Sequence, residues 1–279
     1  MSATQIAQNL AFINWTVLTG LAVGTFAAVV LLRRRSAATS GYLGFTAACA
    51  IAFGILAWLS DGALPASLGS SPVVLDPAFD GPRRTALVAF CVLAAGGLIV
   101  RRAAPAAAAW LDLAALGAAA LTLVTGALAW GGSSSGVLAL LLELLVLAAA
   151  TGGVFAAMVL GHWYLVTPKL PEAPLILLAR ILLGVLIAQV VLFGAWVATG
   201  AGPAGGAPFS ALTGQWALFV WLRLIVGLAF PLVVSWAAVQ TARTRSMEST
   251  TGLLYINVGT IAAGTILAAG LYFGAGLLV

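Results

Sequence analysis

The sequence predicts an all-α, polytopic membrane protein with eight transmembrane helices in two tandem four-helix bundles. Three observations carry this. The 279 residues are 63% hydrophobic and only 7% charged, whereas a soluble domain spends about 25% of its residues on Asp, Glu, Lys and Arg. Mean hydropathy is +1.15. Eight apolar stretches are long enough to cross a bilayer, which takes roughly 20 residues. Finally, Gly24–Leu31 (GTFAAVVL) in the first stretch recurs at six of eight positions in the fifth, as Gly153–Leu160 (GVFAAMVL). So little charge leaves the bilayer as solvent, and segments of this length satisfy their backbone polar groups there only as helices.

The stretches follow in order. The first, near 9–32, precedes Arg33, Arg34 and Arg35; a cleavable signal peptide has its basic residues first, so this segment is expected to stay as an N-out anchor. The second, near 41–60, contains Cys49 and opens into a Pro-, Gly- and Ser-rich connection from Asp61 to Pro82. The third, near 84–100, contains Cys91 and, at about 17 residues, is at the lower limit for a crossing. The fourth, near 106–130, carries Asp112, and the fifth, near 137–165, carries Glu143 and the chain's only histidine, His162. The sixth, near 174–199, holds Arg180 and Gln189; the seventh, near 215–240, holds Arg223 and Pro231; the eighth, near 252–278, holds Tyr255 and Asn257. Neither cysteine has a CxxC-like spacing, so two small buried hydrophobes are expected in preference to a disulfide or soft-metal pair.

The register of the repeat extends over all four helix pairs. Phe53-Gly54 and Trp58 have counterparts in Phe193-Gly194 and Trp196. Ala86-Leu87, Phe90, Leu93 and Gly96 align with Ala217-Leu218, Trp221, Leu224 and Gly227, and Trp110-Leu111-Asp112-Leu113 with Tyr255-Ile256-Asn257-Val258. The halves are therefore expected at 1–131 and 132–279. An even number of crossings per half gives a parallel repeat about an axis along the membrane normal.

Basic residues set the orientation. With the N-terminus outside, the inner loops hold Arg33, Arg34, Arg35, Arg101, Arg102, Lys169, Arg243 and Arg245, and the outer side only Arg83 and Arg84. This positive-inside bias places both termini outside. Trp58, Trp130, Trp196 and Trp216 then fall near outer ends, and Trp110, Trp163 and Trp236 near inner ends, as an aromatic belt requires. The net charge of +5 comes largely from the inner loops and faces anionic lipid. It needs no nucleic acid.

Charged groups inside spans are costly and turn toward a bundle interior or a wet cavity. Asp112 lies seven residues beyond Pro105, and Arg180 six beyond Pro174, so each sits about 10 Å from the inner surface at a rise of 1.5 Å per residue. Glu143 and Arg223 enter from the outer side to similar depth. Two intramembrane ion pairs are expected, Asp112 with Arg180 and Glu143 with Arg223, with Asn14, Gln189 and Asn257 as third partners. The repeat sets Asn14 opposite Glu143 and Asp112 opposite Asn257.

A second cluster is expected at the inner face, where His162, Trp163 and Tyr164 precede a proline-bounded loop and Tyr255 follows Arg243, Arg245 and Glu248. An imidazole beside aromatic rings can hydrogen-bond a quinone carbonyl or relay a proton. The quinone or ligand-binding candidates are therefore His162, Trp163, Tyr164, Arg180, Tyr255 and Asn257. An interfacial aromatic anchor is the plainer role for the same residues.

Much chemistry is excluded. One histidine rules out a bis-His haem held by a single chain and a HExxH zinc site. The sequence has no CxxCH, no Walker A and no GxGxxG opening a βαβ unit, and Ser133-Ser134-Ser135 lacks a nucleophile elbow. No catalytic residue and no metal ligand set is expected.

Two tandem four-helix bundles with almost no extramembrane mass fit an integral membrane subunit of a respiratory or other electron-transfer complex, in a bacterial inner (cytoplasmic) membrane. Such a subunit anchors partner proteins, contacts lipid, and seats a quinone or lipid. In helix count the layout resembles the polysulfide reductase membrane-anchor family, whose eight core helices form two four-helix bundles. Two other classes fit: a small-solute transporter with its path between the repeats, and an assembly or structural membrane subunit.

Overall fold

The computed structural model of the chain describes residues 3–69, 71–167 and 169–279, with side chains from Asn9 onward. It is all-helical, and eight of its helical spans are long and apolar enough to cross a membrane. The spanning helices are α1 (Ala3–Arg35), α2 (Ser40–Asp61), α3 (Asp80–Val100), α4 (Pro105–Trp130), α5 (Ser134–Val166) and α6 (Ala173–Thr199). Then come α7 (Ala217–Leu224) and α8 (Phe230–Arg243), which form one span through a π-helical segment at Ile225–Ala229, and α9 (Met247–Ala275).

Local chemistry sets the ends. The side chains of Thr39 and Ser133 accept from the backbone N–H groups of Tyr42 and Gly136, each satisfying an otherwise orphaned donor in the first turn. Pro105 begins α4, and Pro174 lies in the first turn of α6, where a missing N–H costs nothing. Gly200 and Gly276 end α6 and α9 with φ of 64° and 67°, a left-handed conformation that disfavours a Cβ. Pro231 sits just beyond the π segment, at the start of α8. Its ring cannot donate to the preceding turn, and the widened turn before it accommodates that loss.

The third span differs from expectation. It is 21 residues long and starts at Asp80, because Arg83 and Arg84 are helical residues and not loop charges. A 3-10 turn at Pro77–Phe79 leads into it.

α1 and α5 lie at the centre. α1 packs against α2, α4, α5 and α9; α5 packs against α4, α6 and α9; α2–α3, α3–α4, α6–α8 and α8–α9 are further neighbours. The α1–α5 crossing is backbone-close: a Cβ on Gly24 would run into the Ala148 carbonyl, and one on Gly152 into the backbone of Gly24 and Thr25. The Thr25 hydroxyl donates to the Gly152 carbonyl across this seam at 3.2 Å, and Thr151 and Thr265 join α5 to α9 at 2.9 Å. A second close crossing joins the seventh span to α9 at Gly227 and Gly264. Small residues let helices approach to this distance, so that van der Waals contact holds them in lipid.

Two ends are distinguishable. One gathers Arg33–Arg35, Arg101, Arg102, Lys169, Arg243 and Arg245 and is called the basic end. At the opposite end the long connections are seated on the bundle: Leu68 and Val73 are buried, Asp76 N–H donates to Ala129, Ala204 N–H to Gly276, and Leu278 N–H to Ala201. Cys49 and Cys91 are free and half-buried.

Candidate functional site

Among the described residues three arginine–carboxylate centres are buried in the bundle, one at the basic end and two toward the opposite end.

The first joins α2 and α3. Arg83 donates from Nε to Asp61 Oδ2 at 2.6 Å and from Nη2 to Oδ1 at 3.3 Å, while Nη1 reaches Asp80 at 2.9 Å. Trp15 Nε1 of α1 donates to the same Asp61 oxygen at 2.8 Å. The guanidinium carbon lies 4.8 Å from the centroid of the Trp130 ring and 5.9 Å from that of Trp15, and these rings pack with Phe12 and Phe273. Two indole faces and two carboxylates compensate one buried cation. A cavity of about 270 Å³ opens beside the pair, reaching Arg84 and Asp80.

The second centre lies within α5, α6 and the seventh span. Arg223 Nη2 is 3.6 Å from Glu143 Oε1, and Trp196 Nε1 donates to Glu143 Oε2 at 3.4 Å. Arg223 also donates to the backbone oxygens of Gly227 and Val279 at 3.3 and 3.4 Å. Its guanidinium lies over Gly227 and Gly264, where a Cβ on Gly264 would meet Nη1 at 2.9 Å; glycine leaves the room that the cation occupies. These two centres share a composition of carboxylate, indole N–H and arginine. In the first the acid comes from α2 and the indole from α1. In the second the acid comes from α5 and the indole from α6.

The third centre is at the basic end. Asp112 of α4 accepts two bonds from Arg33 Nη1, both at 2.9 Å, and one from Arg101 Nη2 at 2.6 Å. Asp112 therefore does not pair with Arg180. α4 packs against α1, α3 and α5, while α6 packs against α5 and α8. Equal depth is not contact, and the bundle separates Asp112 from Arg180. Arg180 is exposed on the outer face of α6.

The expected third partners bond elsewhere. Asn14 is exposed. Gln189 is buried and donates to the Val146 carbonyl at 3.0 Å. Asn257 is fully buried and donates to Ser235 Oγ at 2.7 Å and the Pro231 carbonyl at 3.4 Å, bonding α9 to α8 just past the π segment.

Of the six ligand-binding candidates, His162 and Tyr255 come together, with Nδ1 and the hydroxyl 3.5 Å apart and both residues exposed. Trp163 points instead toward Gly41 and Tyr42 of α2. Tyr164 is buried and donates to the Pro171 carbonyl. Consecutive helical residues diverge by about 100°, so a contiguous His-Trp-Tyr run cannot line one pocket. Asn257 and Arg180 face neither this pair nor each other. Among the described residues no group of three or more His, Cys, Asp or Glu is placed to hold a metal.

Sequence reasoning missed Asp61, Arg83, Arg33 and Arg101 as site residues, having assigned them to loops or loop edges. The available signal was that each directly bounds an apolar run, at the depth where an acid on a neighbouring helix needs a cation. Comparison of the chain with protein-family models, curated proteins and solved structures finds no match.

Proposed function

We propose that this chain is an integral membrane subunit that anchors partner proteins, built as two tandem four-helix units at 1–131 and 132–279, with its basic end in the cytoplasm and both termini outside. The neighbour pattern supports the duplication. α1–α2, α2–α3, α3–α4 and α1–α4 contacts have counterparts in α5–α6, α6–α8, α8–α9 and α5–α9, and α1–α9 has its counterpart in α4–α5. The seam crosses at Gly24 and Gly152, within one residue of the Gly24–Gly153 correspondence in sequence.

The observation that carries the subunit role is Arg180. It stands on the exposed face of α6 with Gly184, Ala188, Val191 and Ala195, at i, i+4, i+8, i+11 and i+15. An arginine at a helix centre in lipid costs about 2.5–3.5 kcal/mol, and nearer an end it reaches for headgroups or pairs with an acid. The small residues beside it offer the close approach that pairing with another protein's helix requires; a Cβ on Gly184 would meet nothing within 4 Å. The intramembrane acids of this chain are already matched to Arg33, Arg101, Arg83 and Arg223.

Electron transfer is the class of complex suggested by the helix layout, and the His162–Tyr255 pair at the basic end is the feature suited to a quinone carbonyl. Against a small-solute transporter with its path between the halves, Asp112, Glu143 and Arg223 are each paired within a single half, and the α1–α5 seam is filled by backbone contact.

The test is purification of the tagged chain from its native membrane in mild detergent, with mass spectrometry of co-purifying proteins and an absorbance spectrum. Stoichiometric partners, lost on Arg180→Leu without a change in thermal stability, are expected. A solitary, colourless chain that Arg180→Leu leaves unaltered would overturn the proposal.

A further inference from the structure

A cavity of about 640 Å³ opens at the basic end between α1, α2 and α3. Its wall has two characters. Arg33, Arg101 and Arg102 form the polar side, and Gly44, Leu98 and Ile99 form an apolar side continuous with the outer surface, where Ile99 is 78% exposed. Behind the arginines sits one acid, Asp112, which takes bonds from Arg33 Nη1 and Arg101 Nη2 alone. Three arginines thus line the cavity against one carboxylate, which Arg33 and Arg101 meet and Arg102 does not, leaving an excess of two positive charges. The donors are in excess as well: Arg33 has its side chain 10% exposed, yet its Nε and Nη2 are buried with no hydrogen-bond partner, and so is Arg101 Nε.

Unpaired buried guanidinium nitrogens are costly, and the described residues supply no second acid here. Those nitrogens are closed off from the cavity, whereas Arg101, with 30% of its side chain exposed, and the exposed Arg102 stand at its wall; a negatively charged group with several acceptor oxygens offsets the excess charge there, since arginine forks match phosphate oxygens bidentately. The flanking apolar wall adds a requirement that a free ion does not have. Basic pockets between transmembrane helices that open to lipid suit phospholipid headgroups. We infer that the Arg33–Arg101–Arg102 cavity binds a phosphate group, held as the headgroup of an anionic phospholipid whose acyl chain lies along Gly44, Leu98 and Ile99. This inference is independent of the anchoring role, because α6 and its partner face take no part in it.

The inference is tested on the full chain in neutral detergent, with phosphatidylglycerol, phosphatidylcholine or inorganic phosphate added, and native mass spectrometry to count what is retained. One phosphatidylglycerol per chain is expected, with phosphatidylcholine released. Arg102→Gln removes one exposed cation and leaves the Arg33–Asp112–Arg101 bonds untouched; it should weaken retention about five-fold. Gly44→Leu fills the apolar wall, where a Cβ meets only Leu98 Cδ1 at 4.0 Å, and should expel the lipid while inorganic phosphate still binds. Inorganic phosphate retained in preference to phosphatidylglycerol, with lipid retention unaltered by Gly44→Leu, would overturn the lipid assignment and leave a site for a soluble phosphate. Equal retention of the two lipids, or retention unchanged in Arg102→Gln, would overturn it.

Discussion

Arg83 and Asp61 meet at 2.6 Å with 2% and 4% of their surfaces exposed, which makes them the most deeply enclosed ion pair in the bundle. Asp61 terminates α2 and Arg83 lies in the first turn of α3. The pair thus closes the long 62–79 connection from beneath, while Trp15 and Trp130 shield it.

Removing one partner leaves the other charge buried. Asp61→Asn should destabilise the protein by about 3–5 kcal/mol, read as a fall in thermal or SDS unfolding midpoint. Glu143→Gln should cost a comparable amount, because Arg223 then keeps only the Gly227 and Val279 backbone oxygens at 3.3 and 3.4 Å, whereas Arg83 keeps the Asp80 carboxylate and two indole faces. A negligible loss for Glu143→Gln would mean that those backbone oxygens compensate Arg223 fully.

Adjacent glycines should respond oppositely to the same methyl group. Gly152→Ala pushes a Cβ into the backbone of Gly24 and Thr25, whereas Gly153→Ala meets nothing within 4 Å. Overpacking of this kind costs about 1–3 kcal/mol, and Gly153→Ala should be neutral or mildly stabilising. Unfolding of the two variants side by side reads the α1–α5 seam directly.

The orientation is checked by cysteine labelling. Ser135→Cys should react with a membrane-impermeant maleimide in intact cells, and Arg34→Cys only after permeabilisation, on a background with Cys49 and Cys91 replaced. The reverse pattern would invert the positive-inside assignment.

His162→Ala should leave the unfolding midpoint within about 0.5 kcal/mol of the parent, as expected for an exposed surface side chain. Its side-chain hydrogen bond among the described residues, to Tyr255, spans 3.5 Å. A quinone retained by the parent and lost in this variant would place that contact in a ligand site; a larger loss of stability would make it structural.

Hydropathy made the eight crossings legible, because each is an apolar run ended by a proline, glycine or charge. It gives depth and not azimuth. Asp112 could be placed at about 10 Å, yet its partners come from the ends of α1 and α3, which only helix packing reveals. The third span read short because Arg83 looks like a loop residue until Asp61 is known to face it. Conversely, Glu143 and Arg223 stand in contact because two rare opposite charges at one depth on neighbouring helices have few other places to go. The His162–Trp163–Tyr164 run misled for a different reason: adjacency in sequence is divergence on a helix.

The π segment at Ile225–Ala229 begins two residues after Arg223. A widened turn holds one residue more than the α-helix needs. One extra residue rotates the side chains before it by about 100° relative to those after it. The azimuth of Arg223, toward Glu143 and over Gly227 and Gly264, is thereby set apart from that of Pro231 and the rest of α8, so one span presents two differently oriented faces to its neighbours.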